Sequence, residues 1–405
     1  MRTLTNSLFT LLFVFVLSIC TTHAAVISSS QKVDSLLRSA AQHIDSNPQK
    51  ARQYINEALT FAEGADLQRS VANALNYLGI TYYNEQQYEE AIQQFQKSLK
   101  VFFRLGDKDK IANMMKKIGL SYLNQKKYSK AIEYYEFAQR IFEQEKYIDY
   151  KAETHVELGV IYRLSNRYSN ALKEFEEALQ LFQQLDNKTG QAETLHHMGV
   201  TAHEMGNLVK AQEFFGESIS IYENYLDYSG LSAVLNDYGR TLIDLKEYEK
   251  AKKVLEQAKE KIQIDNPHLL GRILSNYGAV LIYKSEFQEA EQYLHQAMEI
   301  ADSVQAKELQ AQVYRTMYEL YFRNNDTRSA LAYYQKYIAV RDTTANVVFK
   351  GQTSPDDDLH LSNLIIFITV FGFIIIIGLV IWLVNIIKQR DKAHEELRKL
   401  KETKS

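Results

Sequence analysis

Residues 78–99 read LGITYYNEQQYEEAIQQFQKSL, and this stretch decides the fold because the chain repeats it at a nearly fixed interval. Its glycine recurs in steps of 40 residues, with one final step of 39, at Gly79, Gly119, Gly159, Gly199, Gly239 and Gly278. Its alanine keeps the same rhythm at Ala51, Ala91, Ala131, Ala171, Ala211, Ala251, Ala290 and Ala330. A constant period of this length is typical of stacked repeats, in which each unit contacts its neighbours.

Each unit contains two stretches of helical spacing on either side of a polar break, which is 84–87 in the quoted copy. The apolar and small residues of the two stripes are Leu75, Leu78, Gly79 and Tyr82, then Tyr88, Ala91, Phe95 and Ser98. Neither helix can bury its stripe alone, so we expect the two to pack antiparallel and then onto the next pair. The small residues let the backbones approach, and the aromatic ones fill the space around them.

This pattern resembles the tetratricopeptide repeat, which carries small residues, aromatics and an alanine at the same relative positions. The resemblance implies an all-α fold over 31–345: a right-handed superhelix of about eight helix–turn–helix repeats with a concave inner face. The first and last copies match less well, as terminal repeats do. The period of 40 exceeds the common one of 34, which predicts helices longer by nearly two turns per unit.

In this family the first helix of each pair lines the concave face, and the resemblance implies a protein or peptide ligand there. The corresponding candidates for partner binding are Asn73, Asn76, Tyr83, Asn113, Lys116, Arg163, His196, His203, Asn236, Arg240, Tyr283, Arg315 and Arg323. Asparagine offers a donor and an acceptor, so recurring asparagines could hold an extended peptide backbone. The alternative is that these side chains are ordinary solvated residues.

The N-terminus, residues 1–24, is predicted to be a signal peptide with Arg2, an apolar core over 8–19 and cleavage after Ala24. An uncleaved signal anchor is one alternative. A lipoprotein attached through Cys20 is another, although the bulky Ile19 precedes that cysteine. Cys20 is the only cysteine, so a cleaved chain would hold no disulfide and no thiolate site.

A second membrane signal follows the repeats. Residues 346–361 are predicted to be a polar linker and 362–387 a transmembrane helix, within which Leu364–Ile387 is almost wholly apolar and long enough to cross a lipid bilayer. Basic residues follow this segment and aspartates precede it, which predicts a cytoplasmic tail over 388–405 and exported, periplasmic repeats on a single-pass inner-membrane protein. The tail has a short heptad-like pattern that could begin a coiled coil between two copies, giving a homodimer.

Several function classes are disfavoured. The formal net charge of −3 gives no strong field for nucleic acid. No glycine-rich phosphate loop, nucleophile elbow or kinase signature is present, so we expect neither catalysis nor a cofactor. The pair His196–His197 lacks a metal-binding pattern, because adjacent helical residues point about 100° apart, and we expect no metal.

The layout resembles the sensory half of Bacteroidetes membrane receptors with tetratricopeptide repeats, of the histidine kinase or helix-turn-helix regulator type, without the output domain. The favoured hypothesis is therefore a membrane-anchored repeat protein that binds a protein or peptide outside and relays this to a cytoplasmic partner. The alternative is a periplasmic assembly scaffold tethered to the inner membrane that passes no signal.

Overall fold

A computed structural model of the chain describes residues 29–143, 147–225, 227–262 and 266–352, and these residues form helices without any strand. We number the helices α1 to α16 in chain order. Their bounds are α1 29–41, α2 Pro48–Gly64, α3 Gln68–Asn84, α4 Tyr88–Leu105, α5 Lys108–Asn124, α6 Tyr128–Phe142, α7 Ile148–Leu164, α8 Tyr168–Gln184, α9 Lys188–Glu204, α10 Leu208–Tyr225, α11 Tyr228–Asp244, α12 Tyr248–Lys261, α13 Pro267–Tyr283, α14 Phe287–Ser303, α15 Lys307–Arg323 and α16 Thr327–Gln352.

The helices form successive helix–turn–helix units, as the repeat pattern predicted. We call the odd-numbered helices A helices and the even-numbered ones B helices. From α3 onward each A helix is joined to its B helix by three residues, such as 85–87 between α3 and α4. A connection this short folds the B helix back against its A helix, and each B helix also packs on the next A helix.

The second residue of each three-residue turn adopts the left-handed conformation that ends many helices. These residues are Gln86, Lys126, Asn166, Gly206, Lys246, Ser285 and Asn325, with φ between 60° and 80°. The residue after it closes the helix end, as where the Gln87 amide donates to the Tyr82 carbonyl at 2.9 Å. The turn therefore keeps the same backbone conformation whichever residue occupies its centre, and only one of the seven central residues is a glycine.

The repeated small residues are the points of closest approach between the helices. All eight repeated alanines are buried. Gly159 faces the ring of Phe175 so closely that a Cβ atom at Gly159 would lie 2.4 Å from it. The equivalent glycines face the residue sixteen positions later in the same way, which is Phe95, Tyr135 or Phe215 in other repeats and leucine in the sixth and seventh. The predicted packing of small against large residues is confirmed.

The last helix of the described residues is longer than the others there. α16 has 26 residues and runs through 346–352, where the sequence predicted the start of a linker. From Thr327 onward no proline occurs before Pro355, and Gly351 is the first glycine, so no residue earlier in α16 interrupts the helix. The predicted signal peptide, membrane segment Leu364–Ile387 and tail lie outside the described residues. Among the helices of the described residues, none is both long and apolar enough to span a membrane.

Candidate functional site

The surface made by helices α3, α5, α7, α9, α11, α13 and α15 carries most of the predicted binding residues, and we call it the A-helix wall. Successive A helices contact one another directly, as α9 contacts α11 and α13 contacts α15. Side chains on neighbouring A helices can therefore meet across this wall.

Polar side chains join neighbouring A helices at a constant offset of 41 residues. One series starts three residues before the repeated glycine and comprises Asn76–Lys117 at 2.7 Å, Lys116–Glu157 at 2.9 Å and His196–Asp237 at 2.9 Å. A second series starts four residues after the glycine and comprises Tyr83–Asn124, Arg163–Glu204 and His203–Asp244, each at 2.7 Å. We call these contacts the inter-repeat bridges.

Six of the predicted binding residues take part in these bridges: Asn76, Tyr83, Lys116, Arg163, His196 and His203. Each of these side chains already holds a group of the following repeat. Asn236 behaves in the same way, because it is fully buried and its Oδ1 accepts a hydrogen bond from Asn276 Nδ2 at 2.9 Å. Asn276 Oδ1 in turn accepts from Gln312 at 3.0 Å. Of the predicted asparagines, Asn236 thus belongs to a row of side-chain amides that bond to one another across α11, α13 and α15.

Asp237 is the most heavily engaged carboxylate of the wall. Besides His196, it accepts a hydrogen bond from Arg272 at 2.6 Å and one from the Asn236 amide at 2.9 Å. Burial alone would raise the pKa of Asp237, but the hydrogen bond from His196 and the charge of Arg272 hold it well below its usual range. This carboxylate therefore ties α9, α11 and α13 together as an anion.

His197 lies beside this cluster and, unlike Asp237, is buried in its uncharged form. Its ring stacks between those of Phe175 and His196, at centroid distances of 5.6 and 5.9 Å. Burial lowers its pKa to about 3, and the neighbouring positive charges of His196 and Arg163 add to that effect. His197 is therefore a neutral packing residue. No group of three or more His, Cys, Asp or Glu side chains in the described part of the chain is arranged to hold a metal ion.

A cavity of about 550 Å³ opens in the A-helix wall at its C-terminal end, and we call it the arginine cavity. It is lined by α11, α13 and α15 together with Tyr337 of α16. Arg240 and Arg315 line it as exposed side chains, and neither forms an ion pair or a hydrogen bond with any described residue. The half-buried rings of Tyr283, Tyr318 and Tyr337 complete its aromatic part.

The two carboxylates of the arginine cavity are already held by other groups. Asp244 accepts a hydrogen bond from His203, which lowers its pKa, and the nearby charges of Arg240 and Arg315 add to that effect. Glu319 accepts a hydrogen bond from Arg323. Since both acids are engaged, the unpaired charges in the cavity are those of the two arginines.

The structure therefore brings together three predicted residues, Arg240, Tyr283 and Arg315, in one cavity. Arg323 lies next to them, with its guanidinium 4.4 Å from the centroid of the Tyr283 ring. Asn73 and Asn113 lie apart from the cavity, on α3 and α5. Sequence reasoning missed Asn276 and Tyr337. The 40-residue step from Asn236 could have indicated Asn276, whereas Tyr337 comes from a B helix and no repeat pattern pointed to it.

The fold and the A-helix wall define an all-helical repeat protein, and comparison with known families identifies the kind of repeat. The family model described as Tetratricopeptide repeat matches residues 70–144, 110–184, 150–224, 190–261 and 269–343, well over half of the chain. The chain belongs to the tetratricopeptide repeat family. No curated protein matches it in sequence.

Solved structures with a similar fold are distant in sequence. Aspartyl phosphate phosphatase F from Bacillus subtilis is 17% identical, with a TM-score of 0.59 over 71% of this chain and 75% of that one. The apo quorum sensor NprR from B. thuringiensis is 14% identical, with a TM-score of 0.58 over 78% and 88%. The Rap conjugation gene regulator of plasmid pLS20, solved with the Phr* peptide, is 14% identical, with a TM-score of 0.54 over 78% and 96%. At such identities the likeness concerns the fold.

Proposed function

We propose that this chain is a membrane-anchored tetratricopeptide repeat protein whose exported repeats bind a peptide or an extended protein segment along the A-helix wall. The observation that carries the proposal is the pair Arg240 and Arg315, which are exposed in one cavity and form no ion pair or hydrogen bond with a described residue. An anionic group of the ligand, such as a glutamate, an aspartate or a terminal carboxylate, would pair with them.

The chemistry of the arginine cavity supports this ligand class. A guanidinium presents several donors in a planar fork that matches a carboxylate. Tyr283, Tyr318 and Tyr337 offer rings on which the apolar parts of a neighbouring residue can pack. The Rap regulator of pLS20 carries a peptide on a similar fold, which makes a peptide the appropriate probe.

The test is a binding measurement on the full-length chain with synthetic dodecapeptides that contain proline, so that they stay extended, and either two glutamates or two glutamines. We expect the glutamate peptides to bind more tightly, and R240Q/R315Q to weaken that binding about tenfold, as the loss of charge-assisted hydrogen bonds would. The matched control is R140Q/R167Q, which neutralises two exposed arginines outside the cavity. Equal affinity of R240Q/R315Q and the control would refute the proposal.

The relay is the second part of the proposal. Ligand binding would alter the geometry of a dimer, and the tail after the membrane segment would pass this change to a cytoplasmic partner. The sequence observation behind it is the amphipathic pattern of the tail, which a plain anchor does not need. Deleting residues 390–405 from the intact gene should then abolish its cellular effect while leaving ligand binding intact. An unchanged phenotype would rule out signalling through the tail.

The competing proposal is a tethered periplasmic scaffold, for which the repeats alone suffice. It is favoured if replacing 362–405 with an unrelated single-pass anchor preserves the phenotype. Repeats of this family are typically non-enzymatic scaffolds, although one of the similar structures is named a phosphatase. We propose binding without catalysis for this chain.

A further inference from the structure

A second groove lies on the side of the stack formed by the B helices, between α2, α3 and α4. Its volume is about 530 Å³. Leu59 of α2 and Leu75 and Leu78 of α3 form an apolar lining, and all three are at least half-buried. This groove lies in the first two helix pairs, whereas α11, α13, α15 and α16 line the arginine cavity. The two sites therefore share no residue.

The rim of this groove on α4 is basic. Lys97, Lys100 and Arg104 are exposed there, and none of them forms an ion pair with any described residue. Their spacing of i, i+3 and i+7 puts all three charges on one stripe of the helix. The one acidic residue of the lining is Glu63 on α2. We call this site the basic groove.

The basic stripe is a property of this one repeat. Forty residues earlier the equivalent positions hold Glu57, Thr60 and Gly64, and in the fourth and fifth copies they hold Glu177, Gln180 and Gln184, then Glu217, Ser220 and Asn224. The packing of a repeat therefore does not require cations at these positions. Three cations here also lie side by side without acids between them, although like charges at helical spacing destabilise a helix slightly.

We infer that the basic groove docks an acidic amphipathic helix from a protein partner. The apolar lining accepts leucine-like side chains, and burial of apolar surface supplies the affinity. The stripe of cations pairs with a stripe of glutamates, which steers the helix and fixes its direction along α4. This site is independent of the ligand proposed for the A-helix wall.

The test uses the full-length chain and a fluorescent, hydrocarbon-stapled helical peptide with glutamates at i, i+3 and i+7 and leucines at i+4 and i+8. We expect saturable binding that weakens about tenfold in K97E/K100E, because each substitution exchanges an attraction for a repulsion at the rim. The matched control K173E/K253E makes the same charge change at two exposed B-helix lysines and should bind as the unaltered chain does. R240Q/R315Q should also bind this peptide normally, which separates the basic groove from the arginine cavity.

Three results would overturn the inference. The first is equal weakening in K97E/K100E and K173E/K253E, which would mean that only overall charge matters. The second is unchanged affinity for a peptide whose leucines are replaced by serines, which would leave the apolar lining without a role. The third is loss of binding to vesicles of phosphatidylglycerol and phosphatidylcholine in K97E/K100E without any effect on the peptide, which would assign the stripe to a membrane surface.

Discussion

Six repeated glycines decide how closely each A helix approaches its B helix. At Gly199 a Cβ atom would lie 2.5 Å from the ring of Phe215, whereas nothing lies within 4 Å of the position that a Cβ would take at Gly216, in the neighbouring helix α10. The two glycines therefore lie in adjacent helices of one repeat and differ in their surroundings. The first is required by packing, and the second only weakens a helix.

This difference gives a matched pair of substitutions. We expect Gly199→Ala to lower the free energy of unfolding by about 1–3 kcal/mol, the usual cost of overpacking a core. We expect Gly216→Ala to raise it by about 0.5–1 kcal/mol, because alanine favours a helix more than glycine does. Urea denaturation followed by circular dichroism measures both. Destabilisation by both substitutions would contradict the packing role assigned to Gly199.

His197 provides a prediction about pH. Its folded pKa of about 3 lies below the ordinary value of 6.5. Between these two pH values, the His197 side chain binds a proton in the unfolded chain but not in the folded one. The side chain thus costs no stability above pH 6.5, and the free energy of unfolding falls as the pH drops from 6.5 towards 3. Asp237 and Asp244, whose pKa values are lowered, remain charged over most of this range.

The test compares unfolding at pH 7 and pH 4.5. We expect His197→Gln to reduce the loss of stability on acidification by at least about 1 kcal/mol, a modest value because the ring keeps some exposure and Glu193 lies 3.9 Å from it. The control is His295→Gln, since His295 lies mostly in solvent. An acid-induced loss of the same size in His197→Gln and in the unaltered chain would show that other groups cause it.

At the scale of elements, the turn between A and B helices is the most uniform feature of the chain. Its central residue has positive φ in seven units, and Gly206 is the one glycine among these seven residues. A non-glycine residue is strained there by about 1–2 kcal/mol. Asparagine tolerates this conformation, so the removable strain falls mainly on the four units that have Gln86, Lys126, Lys246 or Ser285 there.

We expect Lys246→Gly to raise the free energy of unfolding by about 0.5–1 kcal/mol, because glycine relieves this strain at the helix end. Gly206→Ala should lower it by a similar amount. The control Lys253→Gly lies inside α12 and should destabilise by about 1 kcal/mol. Thermal and urea unfolding measure the three changes, and a loss of stability in Lys246→Gly would show that the lysine side chain has another role.

The elements were largely predictable from the sequence, and the site only in part. The stripe of Gly79 and Tyr82 and the polar break after it follow from local spacing, which is why the helix pairs were predicted. The bridges depend on contacts such as His196 with Asp237, whose offset is set by how two A helices pack. Tyr337 enters the arginine cavity from the B helix α16, at a position that a small residue such as Ala297 holds in the other repeats, so the repeat pattern marks it as a packing position.

At the scale of the whole molecule, stability is carried by contacts between neighbouring repeats, and Asp237 is one of the densest of these. We expect Asp237→Ala to lower the free energy of unfolding by about 2–3 kcal/mol, since it leaves His196 and Arg272 without their shared partner. Hydrogen exchange should speed up in α9, α11 and α13 and change little in α3, because a stack couples nearest neighbours. Asp302→Ala, at an exposed carboxylate, is the control. Uniformly faster exchange along the whole stack would contradict this picture.

The inter-repeat bridges also restrict how such a chain could have lengthened. Repeat proteins commonly grow by tandem duplication of one unit. The constant 41-residue offset identifies which two side chains would then meet between a repeat and its duplicate. A second copy of the third repeat would set the Lys116 ammonium against a duplicate of Lys117, where the present chain offers Glu157. Repulsion between these two lysines therefore disfavours insertion at that point. Because each bridge needs complementary side chains on adjacent repeats, the repeats cannot be exchanged or duplicated freely.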